Sequence, residues 1–130
     1  MILYRASSAA DATTGAHFAP DPEVARHFVQ GGKTLYRFEV EPSNPLDARG
    51  GCKVLARAVS EITGKADWQV EEDWWTARLG SVFDILERDA AVAPQLATRF
   101  DWIYFEEDFP PGAISWRYLG KATLVGRAGP

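Results

Sequence analysis

A chain of 130 residues, nearly half of them apolar and a quarter charged, is long enough to bury one core, too short for two comfortable ones, and too apolar to stay disordered. A formal net charge of −4 excludes the generally basic surface that draws nucleic acid or an anionic membrane, and the single cysteine, Cys52, excludes an internal disulfide and leaves thiolate metal binding without a second sulfur ligand. The opening MILYRASSAADATTG has no basic stretch leading into an apolar one, and no apolar run approaches the roughly 20 residues that span a bilayer, so a cytoplasmic protein without a membrane segment is expected.

In chain order, Ile2 to Arg5 reads as a first strand, followed by a Ser-, Ala-, Asp- and Thr-rich loop to Gly15 and a short second strand from Ala16 to Ala19. Asp21 offers an N-cap oxygen and Pro22 suits a first helical position, so a helix starts there, with Val24, Ala25 and Phe28 on one side and a stop at Gly31-Gly32. TLYRFEVEP alternates strictly, placing Tyr36, Phe38 and Val40 on one face of a strand. Pro42, Asn44 and Pro45 break it, and Leu46-Asp47 leads into the Gly50-Gly51 turn.

From Cys52 the apolar spacing becomes helical, with Val54, Leu55, Ala58, Val59 and Ile62 on one stripe and Gly64 after the end. A second helical stretch, Asp67 to Arg78, carries Trp68, Trp74 and Trp75, residues suited to a core or an interface. Ser81 with Asp84 resembles a capping box before Val82, Phe83, Ile85 and Leu86, and Ala90 to Arg99 reads as a further helix entered or kinked at Pro94. DWIYFEE, AISWRYL and ATLVG then read as strands, the first two separated by Pro110-Pro111-Gly112. The order strands, helices, strands predicts one α+β domain over residues 1–130, with a mixed or antiparallel sheet whose first and last strands pair across a helical insert.

His17 and His27 lie at no zinc spacing, and there is no nucleophile elbow, P-loop or dinucleotide glycine fingerprint, so no metal site and none of these motif-led activities is expected. Cys52 beside Gly50-Gly51 lacks a base partner and reads as a small half-buried side chain. The remaining chemistry is the acidic trio Glu106, Glu107 and Asp108 at the end of an aromatic strand. Alternation puts Ile103, Phe105 and Glu107 on one face and Trp102, Tyr104 and Glu106 on the other, so one glutamate shares an apolar face whichever side is buried. In a cleft such a carboxylate binds a sugar hydroxyl or steadies developing positive charge; on a strand end it is simply solvated. Arg5 likewise suits either a ligand phosphate or a structural carboxylate.

The order of these segments resembles the ADP-ribosyltransferase superfamily. LYRAS carries an aromatic residue before the basic Arg5, GAHFAPDPEVARHF is similar to the F-x-x-D-x-x-x-A element, and Phe100-Asp101-Trp102-Ile103 stands where that fold has a [YF]-D-G-[IV] strand. MILYRASS, HFAPDP, LYRFEVEPSNPLDA, VSEITGK and FDWIYFEED together look most like the phage anti-CRISPR ADP-ribosyltransferases that act on type I-F surveillance complexes. The resemblance implies an ADP-ribosyltransferase-like mixed sheet with a helical insert, and an enzyme that consumes NAD+ as substrate to modify a side chain of a CRISPR-complex subunit. Protein is then the acceptor, with neither a membrane nor nucleic acid as direct partner. Carried over by position, Glu107 is the catalytic carboxylate, with Glu106 and Asp108 beside it, and Tyr4, Arg5, Ala6, Ser7, Phe18, Ala19, Phe28 and Tyr104 form the nucleotide pocket. HFAP holds no hydroxyl where many classical transferases have S-T-S, Trp102 stands in place of glycine, and AISWRYL lacks their late glutamate. A toxin of a toxin–antitoxin pair, an NAD+ glycohydrolase and an inactive domain binding a partner through its tryptophan-rich insert are the alternatives.

Overall fold

A computed structural model of the chain describes residues 1–7, 17–27, 34–108, 111–120 and 127–129. Its strands are β1 (Ile2–Ser7), β2 (His17–Phe18), β3 (Thr34–Glu39), β4 (Pro45–Asp47), β5 (Trp102–Glu106), β6 (Ile114–Tyr118) and β7 (Arg127–Gly129). Its helices are α1 (Pro22–His27), α2 (Cys52–Thr63), α3 (Asp67–Thr76), α4 (Val82–Arg88) and α5 (Val92–Leu96). The α+β expectation holds, and so does the pairing of early with late strands. Phe28, the Gly31-Gly32 stop and the ATLVG strand lie outside the described residues, and the last strand described begins just beyond ATLVG, at Arg127.

The strands form a four-stranded sheet in the order β2-β6-β5-β4 and a three-stranded sheet in the order β1-β3-β7. Among the described residues, one bridge, Tyr4 with Ala19, joins the edge of one to the edge of the other through hydrogen bonds of 2.7 and 2.9 Å. β4 runs parallel to β5, with Leu46 opposite Ile103. A parallel pair needs a crossover, and here α2 to α5 supply it. This strand is absent from the sequence reading because three residues beginning with proline show no alternation; proline is tolerated there because β4 is an edge strand that starts with it.

The crossover places the helices on one face of the four-stranded sheet. Ile103 and Phe105 of β5 pack there with Leu55 and Val59 of α2, Ile85 and Leu86 of α4 and Leu96 of α5. On the other face Trp102 packs with Phe18, Trp116, Leu3, Phe38 and Val40 between the two sheets. Phe18 meets Phe38 and Trp102 edge-on at centroid distances of 5.3 and 5.4 Å. Such pairs contribute about 0.5–1.5 kcal/mol each beyond the area they bury.

Local signals bound α2 and α4 where the sequence places them, while α5 is shorter than the Ala90-to-Arg99 expectation. Gly64 closes α2 in the left-handed conformation, its N–H bonded to Ser60 O at 2.8 Å, and Ser81 Oγ accepts from Asp84 N at 3.1 Å at the start of α4. The tryptophans of α3 part company: Trp74 is buried and donates Nε1–H to Asp89 Oδ2 at 3.0 Å, whereas Trp68 and Trp75 face outward. α3 ends with Leu79 N bonded to Trp74 O and Arg78 N to Trp75 O, a Schellman arrangement with Arg78 at φ 61° where glycine is usual. An L side chain is strained there. Arg78→Gly is expected to raise stability by about 1 kcal/mol, read as a higher urea midpoint at unchanged slope; a lower midpoint would show that the arginine side chain is itself stabilising.

Candidate functional site

Among the described residues, the buried polar or charged ones are Glu107, Ser115 and Arg117. Strand register puts all three on one side of one sheet. Ser115 pairs with Phe105 and Arg117 with Ile103, both of which face the helices, and Glu107 follows Phe105 by two residues, its N–H bonded to Ala113 O at 2.7 Å. His17 of β2 pairs with Arg117, which brings the imidazole to the same face. From α4, Glu87 Oε1 reaches down to accept from His17 Nε2 at 2.6 Å and from Arg117 Nη1 at 3.1 Å. The Phe83 ring, one helical turn earlier, lies 5.2 Å from the imidazole.

Burial dominates the electrostatics of this patch. Glu107 is 9% exposed, and desolvation pushes its carboxyl above the usual glutamate range, helped by the neighbouring charge of Asp108. The Ser115 hydroxyl is near enough to oppose that rise, yet neither Glu107 Oε1 nor Ser115 Oγ meets a protein partner in hydrogen-bond geometry. Burial lowers His17, the Glu87 hydrogen bond opposes it, and the charges of Arg117 and Arg5 lower it further. A neutral His17 therefore donates Nε2–H to Glu87. Arg117, lowered by burial but still charged, has Nε without a hydrogen-bond partner. Glu107 Oε1, Ser115 Oγ and Arg117 Nε are thus three buried polar atoms without a hydrogen-bond partner on one face of β5 and β6, and each such group costs about 1–3 kcal/mol.

The expected site residues divide among three surroundings. Glu107 belongs to the buried patch, and Arg5 stands at its margin: its guanidinium lies 5.9 Å from the Phe18 ring centroid and its charge reaches His17. Glu106 is exposed at the end of β5 on the opposite face, the face of Tyr104, which stacks on Trp116 at 4.4 Å and is covered by the Arg49 guanidinium at 5.4 Å. Asp108 is exposed, with a charge felt by Glu107 and by Cys52. Phe18 fills the core between the sheets, Tyr4 and Ala19 form the bridge beside α1, and Ala6 and Ser7 pair with Leu35 and Thr34. His17, Glu87, Ser115 and Arg117 go unread as site residues in the sequence. The signal for two of them is present in AISWRYL, where Ser115 and Arg117 alternate with Ile114, Trp116 and Tyr118 on a strand otherwise built to be buried.

No protein-family model matches this chain, and neither a curated protein nor a solved structure matches it. No helix among the described residues is long and apolar enough to cross a membrane.

A carboxyl group whose folded value lies above its unfolded one stabilises the fold fully below the ordinary value of about 4.5 and loses that contribution as pH rises through the folded value. Glu107→Gln keeps the neutral shape. The variant is therefore expected to melt above the parent at neutral pH, with the gap closing below pH 4.5; a gap of the same size at both pH values would mean that ionisation of Glu107 is not what costs stability.

Proposed function

We propose that the protein is an NAD+-dependent mono-ADP-ribosyltransferase with Glu107 as its catalytic carboxylate and a protein as acceptor. The observation that carries this reading is the buried Glu107 carboxyl, whose Oε1 meets no partner in hydrogen-bond geometry, on the same sheet face as Ser115 and Arg117. Its support in the sequence is the ordered likeness of LYRAS, HFAPDP and FDWIYFEED to that superfamily.

NAD+ supplies an activated ribosyl carbon whose nicotinamide departs as positive charge develops on the sugar. Glu107, held away from water, steadies that charge and accepts a hydrogen bond from a ribose hydroxyl, an effect that is larger in a desolvated setting. An elevated carboxyl also makes a stronger base toward the incoming acceptor group. Ser115 and Arg117 lie on the same face as that carboxylate, and Arg5 offsets diphosphate charge at the margin of the patch. Phe83 and Phe105 limit access of water from the helical side. Glu106, on the Tyr104 face, takes no part in this arrangement. For the acceptor we propose a subunit of a type I-F CRISPR surveillance complex, following the phage anti-CRISPR likeness, with modification of a side chain that contacts target DNA.

The test is incubation of the purified protein with labelled NAD+ and that complex. Transfer to one subunit is expected, falling about 10²–10³-fold in Glu107→Gln and little in Glu106→Gln, with an acidic limb above the ordinary glutamate range. Release of nicotinamide without labelled protein would indicate a glycohydrolase, label on a different bacterial protein would indicate a toxin, and the absence of both reactions would end the enzymatic reading.

A further inference from the structure

The exposed side of α3 carries a second feature, built from residues outside the polar patch. Trp68 and Trp75 are 62% and 81% exposed, values far from the usual state of the largest apolar side chain. Seven residues apart, they lie on one face of the helix, with Glu71 and Glu72 between them. Below Trp75 a groove of about 440 Å³ runs between α3 and the start of α2, lined by Cys52, Glu71, Glu72, Trp74, Trp75 and Leu79. That volume is within the roughly 300–1,000 Å³ typical of ligand sites. The floor is apolar, one wall is an indole, and the rim is acidic.

Acidic side chains act on the floor of the groove. The Cys52 thiol is pushed up first by burial and then by the charges of Glu71, Asp108 and Asp84, so three carboxylates act on one point of the floor. Arg78 stands on the opposite flank of Trp75, in the adjoining depression with Thr76 and Gly80. A second copy of the chain is a poor occupant, since 18 acidic against 14 basic residues make the molecules repel. Nucleic acid is poorer still.

We propose that this groove docks a basic segment of a partner protein, with an arginine or lysine stem lying along Trp75 and its charge facing Glu71 and Glu72. A cation over an indole and beside carboxylates gains from both, and apolar neighbours in the segment cover Leu79 and Trp74. The interaction does not depend on the transferase reading, because none of these residues belongs to the Glu107 patch.

Two fluorescein-labelled dodecapeptides test it, one alternating Leu and Arg with Ser spacers and the other with every Arg replaced by Glu. Anisotropy should show binding of the Arg peptide alone, weakened by salt, and weakened at least about tenfold by Trp75→Ala and by Glu71→Gln/Glu72→Gln. Cys52, the only cysteine, reports occupancy: the Arg peptide should slow its alkylation by a maleimide and the Glu peptide should not. Because Trp75 is so exposed, its alanine variant should keep the parent's melting temperature, which separates lost docking from lost fold. Equal binding of both peptides, binding of neither, undiminished binding by Trp75→Ala, or a dimer in sedimentation that Trp75→Ala disperses would each overturn the proposal.

Discussion

Burial of β5 on both faces is the constraint from which the rest of the molecule follows. A strand with Ile103 and Phe105 on one side and Trp102 on the other needs two covering layers, and neither a lone sheet nor a lone helix bundle supplies both. The three-stranded sheet covers the tryptophan side. The parallel pairing with β4 decides what covers the other, because returning to the same end of the sheet takes a crossover long enough to hold α2 to α5. The helical insert is thus the lid of the same core that the strands begin.

The two sides of the four-stranded sheet differ in chemistry. The space between the sheets is filled by rings and aliphatic groups, whereas the helical side admits Glu107, Ser115, Arg117 and the His17–Glu87 pair. Filling those positions with apolar residues would suit folding better, since a half-satisfied buried network is worse than none. Glu87 shows how the fold limits the damage. One carboxylate oxygen from α4 serves both His17 and Arg117, so the polar patch also ties the helix to the sheet.

Much of the fold is legible in the residues. β3 declares itself by strict alternation, α2 by its apolar stripe and left-handed Gly64, and α4 by Ser81, because each of these signals is local. β4 is not legible, since its identity lies in its partner and not in its own three residues. The face assignments of Glu106 and Glu107 follow from alternation, but which face is a polar patch depends on His17 and Glu87, 70 residues apart in the chain. The tryptophans of α3 show the same limit: composition brings three rings together, and only packing separates buried Trp74 from exposed Trp68 and Trp75.

The bridge between Tyr4 and Ala19 gives the molecule an unusual division of labour. Among the described residues, these two hydrogen bonds are the whole backbone connection from one sheet to the other. Otherwise the sheets meet through the rings of Phe18, Phe38 and Trp102, which pack edge-to-face across the gap. A change of ring size there re-aims β1, and Arg5 with it, while the rungs that hold Glu107, Ser115 and Arg117 stay in register. The placement of Arg5 beside the buried carboxylate face thus rests on ring packing and two hydrogen bonds, not on a continuous strand ladder.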